Sequence, residues 1–268
     1  MSGRVVLALP AAGTSAGVFR AWEQHLPAGT ELRVLQPRHL ARRHADASPG
    51  TAPSLRGAAE LVAAELRRSM LRDDREHVLV GHSLGGVVAH EAAHLLQRRG
   101  ERLPGAVALL GTRPPHSSGA DAFAPLLEQD DESLLRGVER LGAMSAALRG
   151  SRFRGAFAPA LRTDLGLLCE HRPAPTLLVA DPLRTALAVH VGDGDHLVPL
   201  RVAAQWAPYV QGALRLTVHP GDHFFPFAGG AVARALTGSG PGAGGGATPR
   251  AGVPGPRREG HRHVAATG

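Results

Sequence analysis

The 268-residue sequence contains no lysine, a single cysteine and few aromatic residues. The chain therefore has 30 arginines, and its formal net charge is +7. The arginines are scattered along the chain, which indicates codon bias and not a phosphate-binding surface. Aromatic residues make up only 4%, too few to stack against the bases of a single strand. We therefore expect no nucleic-acid partner.

The single Cys169 excludes a disulfide framework and suits a reducing cytoplasm, where we expect the protein to act. It lies among leucines at helical spacing, which favours a small core residue over a thiol nucleophile. No apolar run approaches the ~20 residues that cross a bilayer, so we expect no membrane association. The apolar run at residues 5–9 resembles a short signal peptide, but Pro10 interrupts it and a buried first strand explains it better.

Short apolar runs alternate with longer amphipathic segments along most of the chain. The helical segments cover residues 54–69 and 84–98. Continuous apolar strands separated by helices are typical of a parallel sheet covered on both faces. The sequence therefore predicts an α/β protein with a mostly parallel central sheet, whose strands lie at residues 5–9, 32–36, 77–81, 106–111, 186–192 and 214–219.

Two segments depart from this alternation. Residues 121–170 are helical in pattern, with Asp130 as a helix N-cap and Pro159 opening a further helix, and we expect this insertion to form a lid over the sheet. Residues 237–268 are rich in Gly, Pro and Arg and have almost nothing to bury, which predicts a disordered tail. The globular domain is thus expected to span residues 1–236.

The stretch LVGHSLGGVVAHEAAHLL contains two patterns that suggest catalysis. GHSLG, residues 81–85, joins a predicted buried strand to a predicted amphipathic helix. This is the position of a nucleophile elbow, in which Ser83 occupies a strained turn and the flanking glycines allow strand and helix to cross closely. In that context Ser83 is the predicted nucleophile.

HEAAH, residues 90–94, has the helical spacing of two zinc-binding histidines, with Glu91 as a base. The extended zinc motif requires a glycine and then a histidine downstream, but the chain has Gln97 and Gly100 instead. Both histidines fall opposite the apolar stripe of the helix, so we interpret them as surface-leaning side chains. We expect no metal and no cofactor.

A serine nucleophile needs a histidine base and an acid that orients it, in the chain order Ser, acid, His. HVGDGDHLVP supplies Asp195 after a late strand, with Asp193 as a competitor and Asp181 as a weaker one. The GDGD repeat lacks the alternating oxygen ligands of a calcium loop. HPGDHFF follows the last strand and supplies His223.

Two backbone amides would complete such a site. The amide of Leu84 lies at the start of the helix after Ser83, where it can face a developing oxyanion. The second donor should come from the loop after the first strand, where PAAGT makes Ala12 the expected donor, with Ala11 as a further candidate.

With these motifs in place, the chain closely resembles the type II thioesterases of nonribosomal peptide and polyketide biosynthesis, which have the α/β-hydrolase fold. The resemblance runs from about residue 5 to residue 235 and rests on several ordered motifs: PAAGTSAGVFRAWEQHLP, GHSLGGVVAHEAAHLL, LLGTRPPH, QDDESLLRGVERLG, GDGDHLV and PGDHFF. It implies hydrolysis of acyl, aminoacyl or peptidyl thioesters from the phosphopantetheine arm of a carrier protein by Ser83, His223 and Asp195. We expect a monomer.

The chain also departs from that family. The usual Pro-His-Ala-Gly-Gly loop is Pro-Ala-Ala-Gly-Thr at residues 10–14, and the usual Leu-Pro-Gly-Arg-Glu stretch is replaced at residues 36–40. Thioesterase domains fused to synthases often carry their acid after the strand that follows the elbow helix, where this chain has Gly111, which favours the stand-alone type. Two alternatives stay open: a generic carboxylesterase or lipase on the same triad, and a non-catalytic synthase-associated protein.

Overall fold

The computed structural model describes residues 3–152 and 154–238, and within them six strands form one parallel sheet. The strand order is β2-β1-β3-β4-β5-β6, and every neighbouring pair is parallel. The strands are β1 (Arg4–Leu9), β2 (Glu31–Val34), β3 (Glu76–His82), β4 (Ala106–Leu110), β5 (Ala186–Gly192) and β6 (Leu214–His219). All six predicted strands are confirmed; β5 and β6 have the predicted boundaries, and those of the other four shift by one or two residues.

Helices cover both faces of the sheet because successive strand residues point to opposite sides. In β1, Val5 and Leu7 join one buried cluster while Val6 joins the other. Outside the sheet, the helices in chain order are α1 (Arg20–Glu23), α2 (Pro37–Asp46), α3 (Leu55–Arg72), α4 (Leu84–Arg98), α5 (Ala120–Leu127), α6 (Asp131–Arg140), α7 (Ala146–Arg149), α8 (Ala158–Glu170), α9 (Pro175–Ala180), α10 (Leu200–Ala203) and α11 (Ala231–Gly238).

The local sequence explains where several helices begin. Ser54 accepts a hydrogen bond from the Gly57 amide at 3.1 Å and caps α3. Asp130 accepts one from the Ser133 amide at 2.8 Å and caps α6, and Pro159 lies in the first turn of α8.

Helices α5 to α8 occupy the segment between β4 and β5 that was predicted to be helical; we call residues 120–170 the helical insertion. Its action as a lid stays a prediction. No helix among the described residues is both long enough and apolar enough to cross a membrane. Residues 239–268, most of the predicted tail, lie outside the described residues.

Candidate active site

Ser83 lies at the junction of β3 and α4, at the carboxyl edge of the sheet. Its backbone has φ 53° and ψ −116°, and among the described residues it is the only non-glycine residue with positive φ. A Cβ at Gly81 would overlap the backbone of Gly85, which shows how closely strand and helix cross. This strained turn between a buried strand and a helix is the geometry of a nucleophile elbow.

His223 and Asp195 lie together at the same edge, after β6 and β5. The Nδ1 atom of His223 is 2.9 Å from Oδ2 of Asp195, and both side chains are buried. Because an ionised carboxylate can only accept, Nδ1 carries the ring proton and donates it, which leaves Nε2 able to accept one. Asp195 Oδ1 accepts the amides of Leu197 and Val198 at 2.9 and 3.0 Å, so both carboxylate oxygens are held.

These contacts also keep Asp195 ionised. Burial by itself would raise the pKa of the Asp195 carboxyl, but the hydrogen bond and charge of His223, together with the Val198 and Leu197 amides, hold that pKa below its ordinary value. A carboxylate in this position fixes the ring tautomer and stabilises the ring when it becomes protonated.

The other candidate acids serve different contacts. Asp193 Oδ1 accepts the Gly221 amide at 2.9 Å and thereby supports the loop that leads to His223. Asp181 accepts a hydrogen bond from Gln97 at 2.9 Å. Among the described residues, the carboxylate bonded to His223 is that of Asp195.

Ser83 and His223 line the same cavity, which has a volume of about 60 Å³. Its lining is otherwise largely apolar and includes Leu84, Val87, Phe123, Leu168, Leu197 and Val198. Arg113 lies at its side and donates hydrogen bonds to the carbonyl oxygens of Ser117 and Leu197. The space can hold a small apolar group beside the serine hydroxyl and the imidazole.

The two expected amide donors line different pockets. Leu84 is the first residue of α4 and lines the same cavity as Ser83, so its N–H belongs to the first helical turn, which has no intrahelical acceptor. Ala12 follows β1 and lines a separate pocket of about 20 Å³ with Phe224. The carbonyl of Leu9, near that loop, abuts Gly85 of the elbow.

Two residues, His82 and Gly111, contact the His223–Asp195 pair in ways that the sequence analysis did not predict. His82 Nε2 donates to the His223 carbonyl oxygen at 2.8 Å, and burial lowers the pKa of His82 to about 3, so its ring stays neutral. A Cβ at Gly111 would lie 3.1 Å from His223 Nδ1 and 3.2 Å from Asp195 Oδ2. A side chain at position 111 would require the pair to shift by a few tenths of an ångström, and its backbone would keep a positive φ of 50°. The positions of His82 beside Ser83 and of Gly111 after β4 were the available signals.

The interpretation of His90 and His94 as surface-leaning is wrong. Both are buried, with exposed fractions of 3% and 1%, because α4 is covered along almost its whole length. The two rings lie 4.8 Å apart, and His90 also packs on Trp206. Glu91 forms an ion pair with Arg56 at 2.9 Å. Among the described residues, no group of three or more His, Cys, Asp or Glu side chains is arranged to hold a metal ion.

Cys169 is partly buried at the end of α8, where its thiol donates to the Ala120 carbonyl oxygen at 3.6 Å. Burial raises the pKa of the Cys169 thiol, which disfavours the nucleophilic thiolate. Its packing against the core agrees with the small structural residue expected from the sequence.

Comparisons with known proteins find similarity to thioesterases. A family model described as a thioesterase domain matches residues 4–239. Thioesterase PikA5 of Streptomyces venezuelae is 31% identical over 82% of this chain and 74% of its own length. A probable cadicidin biosynthesis thioesterase of Streptomyces griseus is 29% identical over 82% of this chain, which spans only 57% of that relative's length.

Solved structures match the fold. The RedJ thioesterase from the prodiginine biosynthetic pathway of Streptomyces coelicolor has a TM-score of 0.69 and 26% identity, over 88% of this chain and 84% of that one. YbtT, a type II thioesterase from a yersiniabactin NRPS/PKS biosynthetic pathway, has a TM-score of 0.67 and 28% identity, over 88% of this chain and 90% of that one. The predicted α/β-hydrolase fold and the resemblance to type II thioesterases are confirmed.

Proposed function

This chain belongs to the thioesterase domain family, and from that premise we propose that it hydrolyses acyl, aminoacyl or peptidyl thioesters on the phosphopantetheine arm of carrier proteins. The observation that carries the proposal is the placement of Ser83 and of the Asp195-bonded His223 in the wall of one cavity. Removal of such groups would clear a nonribosomal peptide or polyketide synthase whose carriers bear the wrong acyl group.

In the proposed first half-reaction, the Ser83 Oγ attacks the thioester carbonyl carbon while His223 Nε2 accepts the hydroxyl proton. The Ala12 and Leu84 amides stabilise the negative oxygen of the tetrahedral intermediate, a contribution of about 3 to 4 kcal/mol per donor. The intermediate collapses by breaking the carbon–sulfur bond, and protonated His223 returns the proton to the departing pantetheine thiolate. The product is an acyl ester of Ser83.

In the second half-reaction, a water molecule attacks the acyl carbon of Ser83 and gives its proton to His223 Nε2. The oxygen–carbon bond to Ser83 then breaks, and the serine recovers the proton as the free acid leaves. Asp195 stays ionised throughout and holds Nδ1–H toward itself, so that Nε2 points toward the serine in both steps.

The pocket beside Ser83 and the net charge of the protein narrow the range of expected substrates. The largely apolar lining beside Ser83 and His223 favours an apolar acyl group at this position. The net charge of +7 would steer the protein toward an acidic carrier, chiefly by raising the association rate.

The proposal is tested by measuring turnover of an acetyl or propionyl group presented in three ways: on a carrier protein, on free pantetheine and as a p-nitrophenyl ester. We expect the highest kcat/KM for the carrier thioester, and no turnover by Ser83→Ala. Exclusive preference for the oxygen ester would instead identify a carboxylesterase. Failure of a fluorophosphonate to label Ser83, together with no turnover, would support the non-catalytic alternative.

A further inference from the structure

Helix α8 of the insertion carries a buried carboxylate that the proposed reaction does not use. The Asp164 side chain is only 1% exposed, and its Oδ2 accepts hydrogen bonds from the Gly13 amide at 2.8 Å and from Arg38 Nη1 at 2.9 Å. Its Oδ1 is buried and has no hydrogen-bond partner among the described residues. Asp164 thus joins the insertion to the loop after β1.

That loop is a tight turn with Ala12 at its corner. The Thr14 amide and hydroxyl both donate to the Ala11 carbonyl oxygen, at 3.2 and 2.7 Å, and Gly13 has φ +70°. A positive φ at the third residue is typical of a type II turn and favours glycine there. The turn therefore fixes the peptides on both sides of Ala12, whose amide is the proposed oxyanion donor.

Helix α8 packs directly on this turn. Leu161 lies one helical turn before Asp164, on the same face, and a Cβ at Gly13 would come within 2.9 Å of Leu161 Cδ1. Only a residue without a side chain lets the turn approach α8 so closely. This close packing allows the Gly13 N–H to reach the carboxylate of Asp164.

Side chains from α2 and from the residue before it also hydrogen-bond to the turn. Gln36 Nε2 donates to the Thr14 carbonyl oxygen at 2.8 Å, and Arg38 Nη1 donates to the same oxygen at 3.2 Å as well as to Asp164. The two segments in which the sequence departs from its family, residues 10–14 and 36–40, are therefore bonded to each other and to α8.

Burying a carboxylate between a helix and a turn costs free energy, because the charged group loses its hydration. Burial raises the pKa of Asp164, against the opposing effects of the Gly13 amide and Arg38. Apolar residues of similar size usually pack two elements at least as well as a buried ion pair does. What an apolar side chain cannot do is accept the Gly13 N–H and so fix the orientation of that peptide.

We propose that Asp164 is a positioning residue, which orients the Ala11–Thr14 turn so that the Ala12 amide faces the developing oxyanion. The inference rests on the proposed function, because it takes Ser83 as the nucleophile. It makes the insertion part of the catalytic framework: the second oxyanion donor is held in place only while α8 is packed on the turn.

The test compares Asp164→Leu, which has similar size but no acceptor, with Asp164→Asn, which keeps an acceptor for Gly13. The control is Arg162→Met on the same helix, whose guanidinium bonds, among the described residues, only to Leu127, Gln129 and Asp131 of the insertion. We expect Asp164→Leu to lower kcat by roughly 10- to 100-fold with little change in KM, since one complete donor is worth about 100- to 1000-fold. Asp164→Asn should recover most of that loss, and the control should keep the native kcat.

A second readout reports on the oxyanion site directly. An alkaneboronic acid forms a tetrahedral adduct with the Ser83 hydroxyl, whereas the product carboxylic acid binds without one. Asp164→Leu should weaken boronate binding by about the same factor as kcat and leave product binding unchanged. If Asp164→Leu does not fold, the double variant Asp164→Ala with Arg38→Met should show the same selective loss relative to Arg38→Met alone, which removes the Arg38 bond to Thr14 in both proteins.

The outcomes separate the two proposals. Native kcat and native boronate affinity in a folded variant lacking the Asp164 acceptor would overturn the positioning role alone. A parallel loss of kcat in Arg162→Met would also overturn it, because a general loosening of the insertion would then explain the effect. Failure of the native protein to react with a fluorophosphonate or to bind the boronate would overturn the proposed function itself.

Discussion

The buried histidines should make the protein sensitive to mild acid. Burial lowers the pKa of His82 and His190 to about 3 and that of His94 to about 4, from an ordinary 6.5. Below pH 6.5 the unfolded chain therefore binds protons at these positions that the folded chain does not bind. The stabilising contribution is complete above pH 6.5 and is lost as the pH falls toward the folded pKa values.

The magnitude follows from the size of the shifts. Each unit of pH below 6.5 lowers the free energy of unfolding by about 1.4 kcal/mol per histidine, so at pH 5 each contributes a loss of about 2 kcal/mol. The three together amount to about 6 kcal/mol, comparable to the whole stability of many domains. We therefore expect the free energy of unfolding to fall by about 6 kcal/mol between pH 6.5 and pH 5.

The assay is urea unfolding, followed by tryptophan fluorescence at pH 7, 6 and 5, on the native chain and on His94→Leu. The leucine variant removes a buried Nε2 that has no partner among the described residues, and it should reduce the loss between pH 7 and 5 by about 2 kcal/mol. The control is His39→Leu, since His39 is exposed. Equal free energies of unfolding at pH 7 and pH 5 for the native chain would refute the reasoning.

Three further predictions concern the active site and the attraction of the carrier protein. Asp195→Asn should lower kcat by about 10⁴-fold through the wrong ring tautomer, whereas Asp193→Asn should have a much smaller effect; the reverse order in steady-state kinetics would make Asp193 the acid. Gly111→Ala should displace the His223 ring and lower kcat, because its Cβ would lie 3.1 Å from Nδ1, and a crystal structure with an unmoved ring would contradict this. Raising the salt concentration should lower kcat/KM for a carrier-bound thioester but not for the same thioester on pantetheine; equal salt dependence would exclude electrostatic steering.

The sequence predicts the sheet and the Ser83 turn well, because both depend on local patterns. Continuous apolar runs separated by helices specify a parallel sheet, and its topology brings the carboxyl ends of β3, β5 and β6 to one edge. The chain order of Ser83, Asp195 and His223 then places all three at that edge. The choice of Asp195 over Asp193 as the acid stays a prediction, and it is Asp195 that accepts the hydrogen bond from His223 in the structure.

Contacts between distant segments could not be predicted in the same way. His90 and His94 lie opposite the apolar stripe of α4, and only the packing of other elements over that face buries them. Asp164 is a polar residue within the leucine-rich helix α8, but its partners Gly13 and Arg38 lie more than a hundred residues away. A polar residue inside an apolar helical pattern is a signal of such a contact, although the pattern does not identify the partner.

The central claim is that Ser83 becomes acylated by the substrate, and the most direct test is to trap that ester. The protein is mixed with an acyl-carrier thioester, quenched in acid within a turnover and analysed by intact mass and peptide mapping. We predict an added acyl mass on the peptide that contains Ser83, and none on Ser83→Ala. Clearance of the carrier at the native rate by Ser83→Ala, or an acyl group found on another residue, would contradict the account.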